Sequence, residues 1–156
     1  LPGTLLARLC AMNDSGASVV YTDWVEWARQ PDGSFTEGGT RTRHLGARPD
    51  LEIAVDAWWP PGALLYRRDV VDRALPWRED LPVIQDARFL FDAASAGGVF
   101  VHSAHVGLRY RVHGHASLSR RDPRAFLEDC YRNICEIDAL WSTGGLDAEQ
   151  RRALTR

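Results

Sequence analysis

The sequence predicts an α/β domain, and three observations carry that prediction. Segments with helical apolar spacing alternate along the chain with short runs rich in β-branched and aromatic residues. Residues 81–98 read as a central helix punctuated at both ends, by Pro82 in the first turn and by the Gly97-Gly98 pair at the exit. Turn chemistry such as Pro31-Asp32-Gly33-Ser34 separates the strand-like runs.

In chain order, residues 4–12 place Leu5, Leu6, Leu9 and Met12 at helical spacing, and Asn13-Asp14-Ser15-Gly16 ends that helix. Residues 18–28 follow as a strand containing Val19, Val20, Tyr21, Trp24, Val25 and Trp27. Residues 35–43 return as a second, exposed strand. Asp23 and Glu26 occupy odd and even positions of the first strand, so they point to opposite faces and read as solvent or edge residues. Residues 49–57 form a short helix, Trp58-Trp59-Pro60-Pro61-Gly62 forces an extended turn, and residues 63–67 make a compact buried strand. A further helix starts at Arg68. Residues 76–81 are a polar loop holding Trp77.

Beyond the central helix, residues 99–102 and 106–112 read as two strands. Asp122-Pro123 opens a long amphipathic helix with Phe126, Leu127, Cys130, Ile134, Ile137 and Leu140 on its apolar side. Thr143-Gly144-Gly145 ends it, and a last helix begins near Asp147.

A chain of 156 residues with 45% hydrophobic content suffices for one domain with a real core. The net charge of -2 and pI near 6.2 give no overall electrostatic reason to expect a nucleic acid or an anionic membrane as partner. All 19 basic residues counted as Lys or Arg are arginines, the pattern of a GC-rich coding sequence. The three cysteines, Cys10, Cys130 and Cys135, lack metal-ligand spacing and fit reduced thiols. No run is long and apolar enough to span a bilayer, and the sequence opens at Leu1-Pro2-Gly3 with neither an initiator methionine nor a charged-then-apolar signal pattern. The expectation is a cytoplasmic piece of a longer protein, free or peripheral at the inner face of a membrane.

Candidate chemistry concentrates in two places. On the central helix, Val83, Ala87, Leu90, Phe91 and Ala94 share one side, Gln85, Arg88 and Asp92 face away, and Asp86 falls on the flank between them. A carboxylate at that position can serve as a general base at the rim of a cleft, or can simply complement the helix dipole. The second concentration is the loop 113–121, where His113, His115, Ser117, Ser119, Arg120 and Arg121 could hold a phosphate or complete a metal shell. The absence of acidic partners nearby argues against zinc. Arg67-Arg68 is either a strand end dissolving into water or a ligand contact. There is no internal repeat, phosphate-cradling glycine motif, nucleophile elbow or paired-cysteine motif.

Four pieces, in this order, resemble the second half of a family 2 glycosyltransferase of the GT-A fold. Leu1-Pro2-Gly3-Thr4-Leu5 followed by Val19-Val20-Tyr21-Thr22-Asp23 is similar to the helix and strand just after that family's metal-binding Asp-x-Asp motif. Pro61-Gly62-Ala63-Leu64-Leu65-Tyr66-Arg67-Arg68 resembles its acceptor-side strand. Ile84-Gln85-Asp86 stands where the family has a Glu-Asp pair whose aspartate is the catalytic base, with Gln85 replacing the glutamate. Tyr110-Arg111-Val112-His113, with Ser117 and Ser119, resembles its closing loop.

The resemblance covers most of residues 1–121 and implies a partial GT-A-like mixed sheet flanked by helices, with residues 122–156 a C-terminal helical extension. It implies an inverting enzyme that moves a sugar from a nucleotide diphosphate donor to a hydroxyl of a glycan, lipid-linked or small-molecule acceptor. Asp86 would be its base. Arg67, Arg68, Trp77, Gln85, Arg111 and Arg120 would contact donor or acceptor, and His113 would be an extra metal ligand. A divalent cation, magnesium or manganese, would have its main ligands upstream of this chain. Two other classes stay open: a non-catalytic binding or assembly module, and a hydrolase pairing Asp86 with Glu79 or Asp80.

Overall fold

The structure, a computed structural model, describes residues 3–112 and 118–155, apart from the side chains of Leu118 and Ser119. A mixed four-stranded sheet is built around β1 (Val19–Arg29). β4 (Phe100–Val112) runs parallel to it from the Val19↔Phe100 pair to the Ala28↔Val112 pair. Since β4 occupies one edge of β1 throughout, the opposite edge is shared by two antiparallel partners. β3 (Leu64–Tyr66) pairs with residues 19–21, and β2 (Phe35–Arg41) pairs with residues 24–29.

Alternation along β1 sorts the two faces. Val20 packs with Met12 and Ala17 beneath α1 (Thr4–Ser15). Val19 and Tyr21 face the main core, which gathers Ile53 of α2 (Pro49–Val55), Trp59, Val70 of α3 (Arg68–Ala74), and Phe89, Leu90 and Phe91 of α4 (Gln85–Ser95). The same core takes Ile137 and Trp141 of α6 (Pro123–Gly144), with the Trp141 ring edge-on to Phe91 at 5.9 Å. α5 (Leu118–Arg121) is a single turn before α6, and α7 (Ala148–Leu154) closes the chain behind an Asp147 capping box. The result is an open mixed α/β sheet with helices on both faces. Among the described residues no helix is long and apolar enough to cross a membrane.

Several elements depart from the sequence expectation. The two strands expected at 99–102 and 106–112 are one strand, because β1 is long enough to pair with both. The intervening residues are absorbed as register shifts opposite Asp23. Beside those shifts the Thr22 side chain lies so close over Gly107 that a Cβ there would collide with its Oγ1. α4 begins at Gln85, since residues 82–84 form a turn, and Asp86 is thereby its second residue. Its polar side is not solvated, for Arg88 is buried against α6.

Asp23, expected at a solvent or edge position, is largely buried, with its Oδ1 2.8 Å from Nε2 of His102. Of the four apolar residues that helical spacing placed on α1, only Met12 is buried, while Leu5, Leu6 and Leu9 are exposed. The apolar side of α6 is split: Ile137 enters the core, whereas Leu127 is 65% exposed.

Candidate functional site

The site is organised by the entry to α4. Leu81 and Ile84 are buried and fix the turn before it, and the buried Asp129 on α6 accepts from the Val83 backbone N–H at 2.9 Å. One turn into the helix, Arg88 donates to Asp92 at 2.8 Å, to Glu136 at 2.7 Å and to Asn133 at 3.2 Å. Arg78 donates to Glu136 and to Asp80 as well. The hydrogen bond from Arg78, seconded by Arg88, holds the Glu136 carboxyl down at about 2. Burial pushes the Asp92 carboxyl up, against the pull of Arg88. This ionic seam fixes α4 against α6.

Asp86 is therefore held at a defined, half-buried position. Its Oδ1 accepts from the Ala87 N–H at 2.9 Å, and its Oδ2 accepts from Nε1 of Trp58 at 3.4 Å, the long limit of a hydrogen bond. Trp58 is braced edge-on by Trp24 at 6.4 Å and Tyr110 at 5.9 Å. Burial raises the Tyr66 phenol well above its ordinary value, and the charge of Asp86 adds to this, so Tyr66 stays protonated.

Asp86 and Trp58 open into a cleft of about 990 Å³ between α2, α4, the end of β4, α6 and α7. Arg111 and Arg120 line the same cleft. The Arg111 guanidinium also rests over the Phe35 ring at 5.5 Å.

The other sequence-predicted residues divide as follows. Gln85 adjoins Asp86, and its Oε1 is buried with no hydrogen-bond partner among the described residues. Arg67 reaches back to the Met12 carbonyl at 3.4 Å, Arg68 pairs with Asp72 on the surface of α3, and Trp77 packs on Phe89 at 5.1 Å. None of these three lines the cleft. His113 and Ser117 lie outside the described residues, as does the Ser119 side chain. Asp80 belongs to the Arg78 seam, and neither Asp80 nor Glu79 lines the cleft.

Sequence reasoning missed Trp58 and Tyr110 as neighbours of Asp86. The consecutive tryptophans of the Trp58-Trp59-Pro60-Pro61 turn were the available signal: Trp59 is 1% exposed in the core, which leaves Trp58 for the cleft. It also missed the Asp23–His102 pair, whose imidazole stacks obliquely on Tyr21 at 5.2 Å and meets His44 edge-on at 4.6 Å. Among the described residues no three His, Cys, Asp or Glu side chains converge to hold a metal ion.

No family model, curated protein or solved structure matches this chain.

The chemistry of the cleft follows from its own charges. Glu26 is engaged by Arg41 at 3.3 Å, and Asp56 by Arg43. Among the described lining residues, Asp86, Arg111 and Arg120 remain as charged groups without an opposite charge in a salt bridge. One carboxylate that accepts a proton and two guanidiniums that bind an anion, facing one space, suit a reaction that deprotonates one group while another departs as an anion.

Proposed function

We propose that this chain forms the acceptor side of an inverting family 2-like glycosyltransferase of the GT-A fold, with Asp86 as general base. The observation that carries the reading is the carboxylate of Asp86, at the start of α4, opening into the cleft that also presents Arg111 and Arg120. The four-part sequence resemblance supports the same assignment of Asp86.

In the proposed step, an acceptor hydroxyl lies against Asp86 and its oxygen forms a bond to the anomeric carbon of the donor sugar. The bond from that carbon to the nucleoside diphosphate breaks, and the diphosphate leaves with the electron pair. The hydroxyl proton passes to the Asp86 carboxylate. Arg111 and Arg120 offset the charge developing on the diphosphate. Trp58 orients the carboxylate by its N–H, and the neutral Tyr66 adds no competing charge. The described residues do not supply a metal shell, so the divalent cation that the resemblance implies is assigned no step in this chain.

The test is an assay of the complete polypeptide that contains this chain, with uridine, guanosine and thymidine diphosphate sugars, manganese and a panel of hydroxyl acceptors. Acceptor-dependent release of nucleoside diphosphate supports the reading. Absence of release with every donor contradicts it.

A further inference from the structure

The cleft is chemically uneven. Its charged lining residues, Glu26, Asp56, Asp86, Arg111 and Arg120, all come from outside α6, whereas α6 contributes Phe126, Leu127, Cys130, Tyr131, Asn133 and Ile134, none of them charged. Leu127 is 65% exposed there, and Val55 on the facing helix α2 is 40% exposed. The charged residues of this part of α6 are committed elsewhere: Glu128 holds Arg124 at 2.7 Å, Asp129 accepts from the Val83 N–H at 2.9 Å, and Arg132 donates to the Asp80 carbonyl at 2.6 Å.

From this division we propose that the acceptor is an amphiphile, with its hydroxyl at Asp86 and an aliphatic chain lying along α6. The inference rests on the reading of Asp86 as the base and narrows the acceptor class. A glycan or peptide laid along α6 would bring hydroxyls or amides that need partners, and burying such groups unpaired is unfavourable. The α6 wall offers few hydrogen-bonding side chains, chiefly Asn133 and the Tyr131 phenol. A hydrocarbon chain makes no such demand and covers the exposed leucine. From residue 126 to residue 134 the helix gives about 12 Å of apolar length at 1.5 Å per residue, the reach of an extended chain of roughly ten carbons. The cleft volume is at the upper end of what a drug-sized molecule fills, which leaves room for a sugar-sized head beside the chain.

The probe is octyl β-D-glucoside below its micelle-forming concentration, with methyl β-D-glucoside as the control lacking the chain. Titration calorimetry is expected to show the octyl compound binding at least tenfold more tightly, and Leu127→Asp is expected to erase that advantage. Because Leu127 is exposed, the variant should keep the parent's melting temperature, which thermal denaturation checks. Equal affinity for the two glucosides overturns the proposal while leaving the role of Asp86 intact. Tight octyl binding together with normal turnover in Asp86→Asn overturns the placement of the hydroxyl and the base assignment together. Flotation with phosphatidylcholine vesicles separates the two sources of such a chain: flotation lost in Leu127→Asp assigns it to a bilayer lipid, and no flotation assigns it to a free amphiphile.

Discussion

Trp58 Nε1 donates to Asp86 Oδ2 across 3.4 Å, tying the Trp58-Trp59-Pro60-Pro61 turn to the second residue of α4. The contact joins residues 28 positions apart and fixes which way the carboxylate faces. If Asp86 is the base, Trp58→Phe keeps the aromatic contacts to Trp24 and Tyr110 but removes the orienting N–H. A hydrogen bond of this kind contributes about 1 kcal/mol, so turnover should fall roughly fivefold with the donor KM unchanged. Steady-state kinetics of the complete polypeptide checks this, and unchanged turnover removes Trp58 from the account.

The close approach of β1 and β4 makes a second prediction, about the fold alone. A methyl group at position 107 would collide with Thr22, which is fully buried and donates its hydroxyl to the Ala63 carbonyl at 3.2 Å. Gly107→Ala should cost about 1 to 3 kcal/mol, or about 3 to 10 °C in Tm for a chain of this size. A thermal melt with an unaltered midpoint would show that the strands are spaced more widely than described.

The seam between α4 and α6 sets a pH dependence. Glu136 is depressed from 4.5 to about 2 in the fold, first by Arg78 and then by Arg88. Its contribution to stability is therefore complete above the unfolded value and disappears as pH falls from about 4.5 to about 2. Asp80, which shares Arg78, loses its smaller, solvent-screened part over the same acid range. Glu136→Gln should be less stable than the parent at pH 7 and should approach it near pH 2. Urea denaturation across that range measures the gap, and a gap that stays constant contradicts the seam as the source.

Much of the fold was legible because its signals are local. Pro31-Asp32-Gly33-Ser34 makes its turn with Asp32 accepting from the Ser34 N–H at 2.9 Å, and Asp122 caps α6 by accepting from Ala125 at 3.0 Å. What was not legible depends on partners distant in sequence. Arg88 and Asp92 look like an exposed i,i+4 pair until Glu136, 48 residues beyond Arg88, meets the guanidinium. Asp23 looks like an edge carboxylate until parallel pairing brings His102 beside it, 79 residues away. Residues 103–105 read as a break between strands, because only the length of β1 shows that one continuous partner fits. At the site, periodicity put Asp86 correctly on a flank, but no local pattern could tell that Arg111 shares its cleft while Arg67 and Arg68 do not.

The proposed division of labour also predicts what this chain does not bind. Since the proposed reading gives this chain the acceptor side, titration of the 156-residue chain with uridine or guanosine diphosphate and manganese should give little or no heat. Micromolar binding of either nucleotide would place the donor site within this chain.

The most direct test of the central claim is Asp86→Asn in the complete polypeptide, read by turnover, donor affinity and Tm together. Loss of a positioned base predicts a fall in turnover of at least roughly a hundredfold with donor binding nearly unchanged. The fold should survive, because removing a first-turn carboxylate costs the helix-dipole interaction only about 0.3 to 1 kcal/mol. Turnover close to that of the parent, accompanied by a lowered Tm, would contradict the assignment and leave Asp86 as a carboxylate that only steadies the start of α4.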